Sequence, residues 1–165
     1  MDVTDLVELR AIEQLKYRYL RCVDLRLWDE LADTLTEDAT ASYGGGTMTP
    51  EGRDEIVEFL RSRLPTQIVT SHTCHHPELD LTGAGEATGR WALNDVVIDQ
   101  RFDITIRGAA YYEDRYVKQD GTWRIAHTAY KRVYEELEPR RKPDDGGPTM
   151  TAHWWDTDGR SSIQA

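Results

Sequence analysis

The hydrophobic period of this chain changes once, at Pro65, and that change limits the fold to helices first and strands afterwards. Before it, Leu6, Leu9, Ile12, Leu15, Tyr19 and Val23 recur at three- and four-residue steps, predicting one long amphipathic helix over Thr4–Leu27 with Thr4 and Asp5 as its cap. Trp28–Leu35 continues as a second short helix, Ala39–Tyr43 reads as a first short strand, and Arg53–Leu64 forms a third helix that Pro65 stops. After Pro65 the residues alternate. Gln67–Leu81, Glu86–Ile98, Arg101–Lys118 and Thr122–Val133 are rich in Val, Ile, Thr, Tyr and Trp. Gly83-Ala84-Gly85 and Asp120-Gly121 carry turn chemistry and Asp99–Asp103 is a polar reversal, so consecutive strands should pair antiparallel. The expected class is α+β, with a curved sheet wrapped on the long helix and an apolar cavity between them.

Length and charge narrow the partners. With 165 residues, 39% of them hydrophobic, one domain with a real core is sufficient. A formal charge of -10 repels phosphate backbones and anionic lipid, so neither nucleic acid nor membrane is an expected partner. The first residues carry acids and no signal-like apolar run, and Cys22 and Cys74 read as two free thiols, both pointing to a cytoplasmic setting. Residues 134–165, rich in Pro, Asp, Gly and Arg, read as a polar tail that partly docks, with His153-Trp154-Trp155 as its one apolar cluster.

A few polar residues stand at positions where the pattern asks for apolar ones. Asp95 shares strand parity with Trp91, Leu93 and Val97, so a carboxylate points where greasy side chains point and is either functional or strained. His127 shares parity with Trp123 and Ile125, which would place it and Trp91 on the cavity wall. Tyr19 lies on the stripe of the first helix. Asp24, five residues on, sits about 140° around the axis, so both meet one pocket only if the helix ends there or the pocket wraps around it. Asp24 as a cap for the helix at Trp28 is the simpler alternative. Alternation would put His72, Cys74 and His76 on one face as a metal set. Structural zinc draws ligand pairs from two places and Pro77 is expected to bulge the strand, so no metal is assigned, and His75 and His76 read as rim residues.

The pattern Tyr17-Arg18-Tyr19 to Asp24, Glu37-Asp38-Ala39, Thr70-Ser71-His72 and Gly121-Thr122-Trp123-Arg124-Ile125 resembles the SnoaL-like branch of the nuclear-transport-factor-2-like (NTF2-like) superfamily. This is the cone-shaped α+β fold shared by scytalone dehydratase, bile-acid 7α-dehydratase and ketosteroid isomerase, and the likeness spans roughly Val7 to Val133. The resemblance to bile-acid dehydratase implies a catalytic set of Tyr19, Asp24, His72 and Asp95, and that to scytalone dehydratase adds Tyr43. It implies no cofactor, a hydrophobic small-molecule substrate, a domain over residues 1–133 and a homo-oligomer, dimer or trimer. In the implied chemistry His72 takes a proton beside a carbonyl, Asp24 fixes its tautomer, and Tyr19 or Tyr43 stabilises the enolate. Protonated His72, or Asp95 as a carboxylic acid, then delivers a proton to the departing hydroxyl.

Neighbouring chemistries rank below this dehydratase reading. Ketosteroid isomerisation expects a carboxylate where Tyr43 stands. The hexachlorocyclohexane dehydrochlorinase pattern pairs Asp and His as here, but with Lys in place of Tyr19 and an Arg on the last strand, and its halide chemistry is not expected. A polyketide-type cyclase or isomerase uses the same enolate logic and remains an alternative, as does a non-catalytic NTF2-like binding or assembly subunit.

Overall fold

The computed structural model describes residues 2–163. Helix α1 (Val3–Leu25) is capped by Asp2 and Asp5, each side chain accepting from the other's backbone N–H, two residues earlier than the cap expected at Thr4. It is buried from Ile12 onward: Ile12, Leu15, Tyr19, Leu20 and Val23 face the core, whereas Leu6 is 54% exposed. Arg26 ends the helix in the left-handed conformation, φ 57°, and its guanidinium donates to the carbonyls of Leu64, Pro65 and Ile68. That clamp joins the end of α1 to the segment entering the sheet. Helix α2 (Trp28–Asp33) follows, then β1 (Leu35–Ser42), a 3-10 turn at Gly44–Gly46, and α3 (Arg53–Arg63).

Four long strands complete the sheet: β2 (Ile68–Gly83), β3 (Glu86–Asp99), β4 (Ile104–Gln119) and β5 (Thr122–Pro139). The order is β1-β5-β4-β3-β2, antiparallel from β5 to β2, with β1 added parallel to β5. The sheet is therefore mixed, and the architecture is α+β, the curved sheet closing on α1 and α3. Strand β5 continues to Pro139, past the domain boundary expected at Val133, because Tyr134–Pro139 find partners along Ile104–Ala109 of β4. Beyond it, Trp155 of the short helix α4 (Trp154–Thr157) stacks on the Arg26 guanidinium at 3.8 Å. No helix among the described residues is long and apolar enough to cross a membrane.

Three register shifts decide which side chains face the cavity. The first lies between His75 and Glu78 on β2, around Pro77 as expected, and leaves His75 and His76 exposed. The other two place extra residues in β5, Ala126 opposite Arg115–Tyr116 and Val133 opposite Ala109–Ala110.

Candidate functional site

The end of α1 and the start of β2 build a polar pair joined by side-chain and backbone hydrogen bonds. Asp24 is the penultimate residue of α1, and alternation turns Thr70, His72 and Cys74 of β2 toward the helices. The Asp24 carboxylate takes three hydrogen bonds: from Thr70 Oγ1 at 2.8 Å, from the His72 backbone N–H at 2.9 Å, and from His72 Nδ1 at 2.6 Å. A carboxylate at that distance requires Nδ1 to carry the proton, which leaves Nε2 as the basic nitrogen. Asp24 thus partners β2 instead of capping α2, whose N-terminus has no side-chain cap. The angular offset between Tyr19 and Asp24 is real and is accommodated, because α1 stops one residue after Asp24 and His72 reaches from Asp24 to the wall that holds Tyr19.

That wall encloses a cavity of about 350 Å³ lined by Tyr19, Tyr43, His72, Asp95, Tyr112, Tyr130 and Arg132, with Phe59, Leu60, Leu64, Leu93 and Val97 as its greasy surface. A larger groove of about 690 Å³ runs outside α1 between Val7, Leu15 and Trp123, but it holds none of the four residues singled out above. The Tyr19 and Tyr43 hydroxyls lie 3.0 Å apart, one donating to the other. Burial raises the pKa of both phenols above the ordinary value, so both keep their protons at neutral pH.

His72 and Asp95 are direct partners across the β2–β3 ladder. Asp95 is buried, and Arg132 of β5 grips it from the neighbouring side, Nη1 on Oδ1 and Nη2 on Oδ2 at 2.9 Å. The bidentate pair fits only because Gly108 stands opposite Asp95 on β4: a Cβ there would lie 2.5 Å from Arg132 Nη1 and 3.1 Å from Asp95 Oδ1. Both Asp95 oxygens already accept from a cation, a setting that suits a carboxylate and not the proton-bearing acid allowed for in the sequence reading.

Two wall expectations are corrected. Trp91 has the expected parity but lies too deep: it is fully buried, donates through Nε1 to Tyr116 at 2.8 Å and meets the Tyr17 ring edge-on, so it belongs to the core. His127 faces the opposite side of the sheet, because the extra residue at Ala126 inverts the alternation after Ile125. There its Nδ1 pairs with Thr40 Oγ1 at 2.7 Å, and burial lowers its pKa. The same inversion turns Thr128, Tyr130 and Arg132 inward.

Behind the wall lies a buried ion pair that the sequence reading did not mark. Lys16, wholly buried, places Nζ 2.7 Å from Asp114 Oδ2 and 3.4 Å from the centre of the Tyr112 ring. Asp114 also accepts from Thr128 and Tyr116 at 2.8 and 2.7 Å. Desolvation lowers the Lys16 pKa, against the opposing pull of Asp114. Lys16 falls four residues after Ile12 and three before Tyr19, on the buried stripe, a signal that was present but weak.

Comparison with known proteins places this geometry in a family. The SnoaL-like domain profile matches residues 4–129. A scytalone dehydratase-like protein from Novosphingobium aromaticivorans superposes with TM-score 0.77 at 27% identity, covering 86% of this chain and 94% of that one. Hexachlorocyclohexane dehydrochlorinase LinA-type3 from Novosphingobium barchaimii gives 0.76 at 21% identity, covering 84% and 94%. ActVI-ORFA from Streptomyces coelicolor gives 0.65 at 16%, covering 76% and 96%. The latter two speak to fold alone.

Proposed function

The chain belongs to the SnoaL-like domain family, within the NTF2-like superfamily, and on that premise we propose that it is a cofactor-independent lyase, a dehydratase that removes water from a hydrophobic polycyclic or aromatic β-hydroxy carbonyl compound. One observation carries the reading: an imidazole with Nδ1 committed to a carboxylate at 2.6 Å lines a largely apolar cavity that also holds a buried phenol pair. His72 Nε2 takes the proton beside the substrate carbonyl, and Asp24 stabilises the imidazolium that forms. The enolate oxygen accepts from whichever of Tyr19 and Tyr43 is not already donating to the other. The imidazolium then returns its proton to the departing hydroxyl, with the Arg132 cation, fixed by Asp95, beside the developing charge. In this scheme Asp95 positions Arg132 and does not itself carry the proton.

Arg132 also gives weight to a second reading. An arginine on the last strand was one of the two features that had set the dehydrochlorinase pattern apart, and Arg132 lines the cavity. Elimination of halide by the same base is therefore a competitor, and Tyr19 in place of the expected Lys is what ranks it second. Mass spectrometry of ligands retained from a lysate, followed by incubation of the best binder, separates the alternatives: loss of water from that compound supports the dehydratase. Loss of hydrogen halide, a rearranged isomer of unchanged mass, or equal turnover by His72→Gln would overturn it, and a protein that holds no carbonyl-bearing ligand is a binding or assembly module.

A further inference from the structure

The polar groups on the cavity wall do not balance. Among the described residues, the one carboxylate on this wall, Asp95, is already taken by Arg132, and Asp24, behind His72, is taken by Thr70 and His72. His72 Nε2 is left as the one strong acceptor. Donors remain in excess. Tyr112 is only 4% exposed, lines the cavity, and its hydroxyl makes no hydrogen bond to a described residue. The Tyr130 hydroxyl on the same wall likewise has no protein partner among the described residues, and its ring meets that of Tyr112 at 5.9 Å. At the rim, Arg63 ends α3 with its guanidinium 5.4 Å from the Phe59 ring and no acid within ion-pairing distance among the described residues.

A buried donor without an acceptor carries a desolvation cost that a ligand acceptor removes. Phenols are better donors than acceptors because the ring withdraws the oxygen lone pair, and burial keeps the Tyr112 proton in place. Lys16 presses on the back of the Tyr112 ring and fixes its plane, so this hydroxyl is held and not free to swing away.

We propose that the cavity is built for an anionic, acceptor-rich ligand: a flat hydrophobic carbonyl compound with a further oxygen acceptor for Tyr112 and Tyr130 and a carboxylate or comparable oxyanion for Arg63. This names the substrate class within the lyase reading above and rests on that reading for its catalytic meaning, although the selectivity itself is a property of the walls. A neutral hydrocarbon of the same shape leaves the hydroxyls unpaired and the guanidinium without a counter-charge.

Three tricyclic probes isolate the two elements: 9,10-anthraquinone-2-carboxylate, its primary amide, and 9-oxo-9,10-dihydroanthracene-2-carboxylate, which lacks the further ketone, titrated by quenching of intrinsic fluorescence. The diketo acid should bind tightest. The amide should lose about 2- to 5-fold, the size expected of an exposed charge pair, and Arg63→Gln should erase that difference. The compound without the further ketone should lose about 5- to 10-fold, the worth of one net hydrogen bond, and the Tyr112→Phe/Tyr130→Phe double variant should erase it. Arg63 is exposed and the Phe variants keep their rings, so folding is retained; circular dichroism checks this. Equal affinity for acid and amide, discrimination that survives Arg63→Gln, or failure of all three probes to bind overturns the proposal. His72-dependent turnover of a neutral substrate alongside absent selectivity would sink this inference and leave the lyase reading standing. Selectivity without His72-dependent turnover would support this inference and sink the lyase reading.

Discussion

Asp24→Asn is the most demanding single test of the site, because it changes one oxygen to nitrogen and leaves the shape alone. The carboxylate accepts from three donors, and no orientation of the amide can do so: its NH₂ must face either the His72 backbone N–H or the pair of Thr70 Oγ1 and His72 Nδ1. The second arrangement is relieved if the imidazole changes tautomer, accepting at Nδ1 and carrying its proton at Nε2, where the base is needed. Catalysis then fails twice, through the wrong tautomer and through loss of the charge that stabilises the imidazolium. At the observed 2.6 Å, a unit charge pair is worth about 6 kcal/mol at an effective dielectric constant near 20. That is an upper limit, because both side chains keep 16 to 18% of their surface in contact with solvent. A fall in kcat of about 10⁴-fold is expected, the size seen when a triad carboxylate becomes an amide in serine proteases. Stability should fall by only about 1 to 3 kcal/mol, the cost of one mismatched donor. Single-turnover kinetics and urea unfolding measure the two quantities, and ¹⁵N chemical shifts of the imidazole report the tautomer. A variant that keeps a tenth of its turnover, or whose imidazole still carries its proton at Nδ1, would refute the assigned roles.

Other outcomes follow from the charges and phenols around the cavity. Arg132→Leu leaves Asp95 buried without its cation and should cost about 3 kcal/mol, the low end for a broken buried pair, since the arginine side chain keeps 26% of its surface exposed. Adding Asp95→Asn should recover a large part of that cost in urea unfolding; full additivity of the two changes would show that the pair is not coupled. Lys16→Met should cost about 3 to 5 kcal/mol by stranding Asp114, and the double variant with Asp114→Asn should cost less than the sum. Burial raises the pKa of Tyr19, Tyr43, Tyr112 and Tyr116. Because the unfolded chain ionises first, stability is fully present below about pH 10 and falls as pH rises further. Phenolate absorbance from these four should appear together with the loss of tertiary circular dichroism; a smooth titration of all eight tyrosines in a still-folded protein would contradict it.

The element order was legible because each segment repeats its own period for long enough to be read. The change at Pro65, the alternation of four strands and the turn residues between them are local signals, and the structure departs from them by a few residues at element ends. The parallel pairing of β1 with β5 was not legible, since it depends on which edge of the finished sheet is open. Likewise, the meeting of Asp24 with His72 is visible only through family resemblance: no local rule links residues 48 positions apart.

Strand parity explains both the success at Asp95 and the errors on β5. On β3 no extra residue intervenes, so counting from Leu93 to Asp95 and Val97 gives the right face. On β5 the extra residue at Ala126 reverses the side chains from His127 to Arg132, which removes His127 from the cavity and delivers Tyr130 and Arg132 to it. A warning was present in the sequence, because unbroken parity from Ile125 would have buried Lys131, whose ammonium instead pairs with Glu113 on the exposed face. The consequence is electrostatic as much as geometric. With His127 inward, the wall would have offered a second titratable base. With Tyr130 and Arg132 inward, it offers a phenol donor and a fixed cation, and the cavity changes from one suited to shuttling protons between histidines to one suited to holding negative charge on oxygen.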